Sequence, residues 1–310
     1  MASEKSPEIT DALIDSLMEG AIDLHCHSGP SIMERKLDHI EAAREAEAAG
    51  MRALMFKDHY YSSTPVVQLL KRQEFASSSL SLLSGVVLNN ATGGLNPYAV
   101  EHDLMLGGQL IWMPTISAAN HIRHVHRSGA LKPPRPMKRH KGLEVTDALG
   151  NLFDEVKEIL DIIAEYDGVL SAGHLHISEI WVLFAEAQKR GVGRLLVNHP
   201  GLFIDASLAD MRELAGMGVF MEQCACMVID CPSRHFDPDE LKSFIDAATV
   251  GQTILGSDLG QMKNPRPVEG YRAVIRLCLE LGYNEQDVRA MVSGNATRLL
   301  GLDTNGSATS

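Results

Sequence analysis

Eight short runs rich in Val, Ile and Leu recur along this 310-residue chain, at 21–25, 51–57, 80–88, 109–114, 168–174, 193–198, 218–223 and 252–257. Between them lie stretches with helical spacing of apolar residues, at 39–49, 66–75, 97–106, 178–190, 207–217, 238–248 and 268–281. Strands that alternate with amphipathic helices form a parallel sheet wrapped by those helices. Several helical stretches run into a glycine before the next strand, at Gly50, Gly107 and Gly191, where a left-handed residue ends a helix at least cost. Eight such units predict an α/β chain folded as a closed (β/α)8 TIM barrel. An open doubly wound sheet would carry a Gly-rich phosphate loop after its first strand. No G-x-G-x-x-G follows Leu24.

One connection is longer than the rest, from Ser117 to about Tyr166. Its middle holds Arg123, Arg127, Lys132, Arg135, Lys138, Arg139 and Lys141, without Asp or Glu, and also Pro133, Pro134 and Pro136. The prolines predict an inserted basic loop over 123–141, followed by a helix at 146–166. The expectation is a single domain over 1–310, with a polar tail fraying at 304–310.

Composition narrows the partners. With 28 Lys+Arg against 40 Asp+Glu the formal charge is −12, which argues against nucleic acid and anionic membranes. No window approaches the roughly 18 apolar residues of a membrane span. The start lacks a secretory pattern, and five cysteines make a poor disulfide framework, so a cytoplasmic location is expected. A small-molecule substrate is the expected partner, and the chain remains open to homo-oligomer formation.

The 13 histidines are sorted by position. In such a barrel chemistry gathers where strands end. The first strand ends His25-Cys26-His27, and strand alternation sends both imidazoles to one face. The fifth run reaches His174, the sixth His199, and the eighth Asp258. Imidazoles with a carboxylate suit zinc first, with manganese, iron or nickel as alternatives, at one or two ions. His59, His121 and His176 are candidate substrate contacts. His39, His102, His124, His126, His140 and His235 read as structural or surface residues. Cys224, Cys226 and Cys231 suggest a thiolate site but lack a fourth ligand at zinc-finger spacing, and read instead as buried cysteines. Glu222 either lines the pocket or neutralises a neighbour, and Asn89, Asn90, Gly93 and Gly94 read either as a tight turn with exposed amides for a substrate oxygen or as a plain turn.

The ordered set His25, His27, His174, His199 and Asp258, with the late stretch Ser293-Gly294-Asn295-Ala296-Thr297-Arg298-Leu299-Leu300-Gly301, resembles the amidohydrolase superfamily over about residues 21–302. The resemblance implies that His25, His27 and Asp258 hold a more buried metal, and His174 and His199 a more exposed one. Two-metal members bridge the pair with a carboxylated Lys or a Glu at the end of the fourth strand. Here that strand ends Ile111-Trp112-Met113-Pro114-Thr115. Lys57, on the face of Ala53 and Met55, is the nearest substitute. It reads as a carbamate bridge, as an anchor for an anion or carbonyl, or as a solvent-reaching structural lysine.

Such a site predicts hydrolysis of an amide, cyclic amide or lactone by metal-activated water, with Asp258 as general base and then acid. The basic stretch 123–141 reads either as a clamp for an anionic substrate or as a flexible or subunit-contacting loop. The alternatives are a mononuclear decarboxylase on His25, His27, His174 and Asp258, a phosphoester hydrolase, and a non-catalytic scaffold.

Overall fold

The eight apolar runs become nine parallel strands in the computed structural model, which describes residues 9–128, 137–139 and 141–302. They are β1 (Ile22–Cys26), β2 (Ala53–Phe56), β3 (Ser81–Leu83), β4 (Gly85–Val87), β5 (Leu110–Trp112), β6 (Val169–Ser171), β7 (Leu195–Asn198), β8 (Phe220–Cys224) and β9 (Thr253–Gly256). The extra strand comes from a break at Ser84, which divides the third run into β3 and β4. Beside the break the β4 backbone lies so close to β5 that a Cβ on Gly85 would stand 1.8 Å from the Leu110 carbonyl oxygen.

Hydrogen-bonded ladders join β1-β2-β3 and β4 through β9. The seam between β9 and β1 is tied just past the strand ends, where Asp258 N–H donates to His25 O (2.7 Å) and His27 N–H to Leu259 O (2.8 Å). This is the expected TIM barrel.

The helices are α1 (Asp11–Met18), α2 (His39–Ala48), α3 (Thr64–Arg72), α4 (Pro97–Met105), α5 (Ala119–Ser128), α6 (Asp154–Glu165), α7 (Ile177–Lys189), α8 (Leu208–Gly216), α9 (Pro238–Ala248), α10 (Pro267–Glu280), α11 (Glu285–Arg289) and α12 (Asn295–Leu300). No helix among the described residues is long and apolar enough to cross a membrane.

Two sequence expectations are corrected here. The stretch 123–128, read as loop, belongs to α5: the first proline stands at 133, too far on to disturb it. The helix expected from 146 begins at Asp154. Before it, the Asp147 carboxylate accepts the backbone N–H groups of Leu149 (2.8 Å) and Asn151 (2.9 Å) and holds a turn instead. The remainder of the basic segment, at 129–136 and 140, and the tail at 304–310 lie outside the described residues.

The barrel interior is apolar through most of its depth. Leu24, Met55, Val87, Trp112, Leu196 and Ile254 pack there with Ala296, Leu299 and Leu300 of α12. The 293–301 stretch thus closes the end of the barrel away from the histidines. Asn295 fixes it by donating to Val250 O (2.7 Å) and Thr253 O (2.6 Å).

Strand β1 changes phase partway along. Ile22 and Leu24 face inward, yet Cys26 packs in the outer core against the helices. Its register with β2 shifts between Asp23 and Cys26. A bulge of this kind re-aims the residues after it, and it brings His25 and His27 inward above Leu24. The buried Asp23 carboxylate accepts the N–H groups of His25 (3.0 Å) and Ser257 (2.9 Å), satisfying amides that the interrupted ladder leaves over.

Candidate metal centre

Polar side chains take over from apolar ones at the C-terminal ends of the strands. A buried chain of contacts crosses five of them. Ser171 (β6) donates to Asn198 (β7), and Asn198 donates to Glu222 Oε2 (β8). Glu222 Oε2 accepts from His25 Nδ1 (β1) at 2.9 Å, and His25 Nε2 meets Lys57 Nζ, just past β2, at 2.9 Å. Gly256 of β9 makes room for this layer, since a Cβ there would stand 2.3 Å from Glu222 Oε1.

The tautomers follow from these partners. A carbonyl oxygen only accepts, so His27 Nδ1 donates to Lys57 O at 2.9 Å, and the Nε2 of the neutral ring carries a lone pair. Likewise His25 gives its Nδ1 hydrogen to the Glu222 carboxylate and keeps a lone pair on Nε2. Both Nε2 atoms point at one carboxylate oxygen: Asp258 Oδ1 is 3.1 Å from His27 Nε2 and 3.4 Å from His25 Nε2. These three atoms converge with Lys57 Nζ beside His25 Nε2, an arrangement that a shared cation would hold together.

A proton on His27 is disfavoured. Burial, reinforced by Arg35, pulls the His27 imidazole down to about 3. A neutral His27 imidazole beside a carboxylate, with the His25 ring held by Glu222 next to them, is a donor set that a divalent cation can use, so these residues fit a metal.

The other sequence-selected histidines gather beside this centre. The His199 ring is 6.0 Å from that of His25 and 4.9 Å from that of His174, and burial lowers it to about 4. His174 Nδ1 meets His121 Nδ1 at 2.8 Å, and Phe203 stacks on the His174 ring at 5.1 Å. His59 lies 5.0 Å from His27 and is held by Thr115 Oγ1 at 2.9 Å. His199 and Asp258 adopt positive φ, at 34° and 48°. Backbone strain of this kind is kept where surrounding structure fixes a functional side chain.

Three expectations change. His176 does not join the cluster: its ring caps α7 through Ser178 (2.8 Å) and faces Asp205 at 3.8 Å. Lys57 is not a solvent-reaching lysine. It is 1% exposed, its Nζ lies 5.3 Å over the Trp112 ring, and burial lowers its pKa. Asn89 is no exposed turn residue, because its amide is used up between His59 O (3.1 Å), Thr115 Oγ1 (2.8 Å) and the N–H groups of Thr115 (2.9 Å) and Ser117 (3.1 Å).

Ser171, Asn198 and Asp23 were not singled out from the sequence. The available signal was a polar residue inside an apolar run, which at an interior position must have a partner. Of the basic segment, Arg123 is described in contact with Glu144, at 3.3 Å on the surface.

Residues 20–222 match the model of a family described as a family of unknown function, DUF6282. The chain belongs to that family. No curated protein matches this DUF6282 chain. Among solved structures it is similar to an amidohydrolase from Pseudomonas aeruginosa, at TM-score 0.64 and 12% identity over 94% of this chain and 98% of the other. The probable dipeptidase PvdM from the same organism gives TM-score 0.65 and 9% identity over 96% and 100%. An amidohydrolase from Burkholderia multivorans gives 0.58 and 14% over 91% and 99%. The DUF6282 chain therefore has the barrel fold of amidohydrolases.

Proposed function

We propose that this protein is a metal-dependent hydrolase that opens an amide, cyclic amide or lactone bond in a small substrate. The observation that carries the reading is the convergence of His25 Nε2, His27 Nε2 and Asp258 Oδ1 at 3.1 to 3.4 Å. The amidohydrolases among the similar structures support the reaction class. His25, His27 and Asp258 would hold one ion, zinc first, and His174 and His199 a second. When bound, such an ion supplies Lewis acidity, making water acidic enough to attack near neutral pH and polarising a carbonyl.

The protein's own groups do the rest. Glu222 fixes the tautomer and tilt of His25, and the Lys57 carbonyl does so for His27. Asp258 accepts the proton from the attacking water and returns it to the departing amine or alkoxide. Phe203 covers the His174 ring and keeps that side of the site dry. Lys57, buried and inclined to neutrality, is suited either to a carbamate bridge or to a substrate carbonyl. The test is elemental analysis of purified protein together with turnover of an amide and lactone panel. At least one divalent ion per chain is expected, and chelation should abolish turnover. Undiminished turnover by metal-free protein would sink the reading.

A mononuclear decarboxylase is the second reading. It is favoured by the end of β5, where Thr115 is committed to Asn89 and His59 and no bridging carboxylate follows. Two ions per chain support the hydrolase, and one ion with carbon dioxide release supports the decarboxylase.

A further inference from the structure

Cys224 is the last residue of β8 and is buried. A ring nitrogen of His25, its Sγ and an Asp258 carboxylate oxygen all lie within 4.8 Å of one another, a group of donors drawn from β1, β8 and the turn after β9. The sulfur is 3.8 Å from both His25 Nδ1 and Glu222 Oε2. With zinc–nitrogen bonds of about 2.0–2.1 Å and a zinc–sulfur bond of about 2.3 Å, ligand pairs around one tetrahedral ion stand roughly 3.3–3.6 Å apart. The donors therefore need to close in by about 1 Å, with the sulfur moving from the Nδ1 edge of the His25 ring toward its Nε2 edge.

Of the other cysteines, Cys226 also reaches this region, through a side-chain hydrogen bond to Asp258. Cys26 and Cys278 share the outer core with Cys224, and Cys231 donates to the Cys226 carbonyl at 3.0 Å; the contacts with His25 and Glu222 are what mark Cys224. A second observation marks the same spot. Glu222 is fully buried and its Oε1 has no hydrogen-bond partner among the described residues, although Oε2 of the same carboxylate receives His25 and Asn198. A buried carboxylate oxygen without a donor is costly, and a cation lodged between His25, Cys224 and Asp258 would offset that cost.

We propose that the Cys224 thiolate is a ligand of the metal held at His25 and Asp258, which makes this centre selective for zinc, iron or cobalt over magnesium. The inference rests on the reading of the site as a metal centre. On binding, the S–H bond gives way to a metal–sulfur bond and the proton leaves to solvent, with no change in oxidation state. Thiolate is a soft ligand, and magnesium prefers oxygen alone.

Cobalt(II) titration of the metal-free full-length protein tests this directly. The expected result is visible d–d absorption together with a near-ultraviolet sulfur-to-cobalt charge-transfer band. That band should vanish in Cys224→Ser, which still binds cobalt, and persist in Cys226→Ser. Cobalt bound without the band, or a band that survives Cys224→Ser, overturns the thiolate ligand and leaves the metal centre standing. Absence of cobalt binding overturns both. If Cys224→Ser does not fold, X-ray absorption of the zinc-loaded wild-type protein decides: a sulfur shell at about 2.3 Å supports the assignment, and nitrogen and oxygen shells alone overturn it.

Discussion

At one end of the barrel Ala296, Leu299 and Leu300 of α12 fill the space between the strands with hydrocarbon. At the other, the same strands present Ser171, Asn198, Glu222, His25 and Lys57, joined side to side. The first arrangement depends on volume, because dispersion and burial have no preferred direction. The second depends on direction, because each atom must find a donor or acceptor at the right angle, and a buried charge adds little net stability. The lower end should therefore govern whether the protein folds, and the upper end what it binds and converts.

The sharpest way to break this division is Asp258→Asn. Turnover should fall by roughly 10²–10⁴-fold while the melting temperature stays within a few degrees of wild type. A variant with intact turnover and normal metal content would remove Asp258 from proton transfer. Leu299→Ala should do the reverse, costing about 2–5 kcal/mol in denaturant unfolding with metal content and turnover per folded molecule unchanged.

Glu222→Gln keeps the size of the side chain and removes the charge that orients His25. Metal affinity should drop by about 10–100-fold, measured by competition with a chelator. Lys57→Ala separates its two surviving roles. Loss of one ion of two points to a bridge, whereas unchanged metal content with a raised KM points to a substrate anchor.

The smallest effect is the acid dependence of the metal-free protein. His27 and His199 have folded pKa values of about 3 and about 4, below the ordinary 6.5. Between those limits the unfolded chain binds more protons, so these groups contribute stability above about 6.5 that is lost as pH falls toward 3. Asp23, raised to about 6 by burial, acts oppositely between 3.8 and 6 and partly offsets them. Unfolding midpoints across this range should fall with pH, and zinc should restore them at the upper end. A flat profile would mean that the imidazoles are not buried as neutral rings.

The barrel, and the gathering of Lys57, His174, His199 and Asp258 at one end of it, were legible because they follow from period. Inward-facing Ala53 and Met55 place Lys57, and runs ending in His174, His199 and Asp258 place three donors. What escaped has physical causes. The break at Ser84 reflects the close approach of Gly85 to Leu110, a contact between distant segments. Phe203 comes from a loop and shows no pattern. His176 follows His174 at strand spacing, but the chain has already left the strand, and the ring serves as a helix cap.

The bulge in β1 carries a consequence for how this chain tolerates change. A strand of unbroken alternation is a single gear: advancing it by one residue turns every side chain over at once. Here the register shift between Asp23 and Cys26 acts as a clutch between Leu24 and His25. Removing one residue at the bulge would swing both imidazoles toward the helices while Ile22 and Leu24 kept their seats. Such a protein would have a sound foundation and an empty workbench.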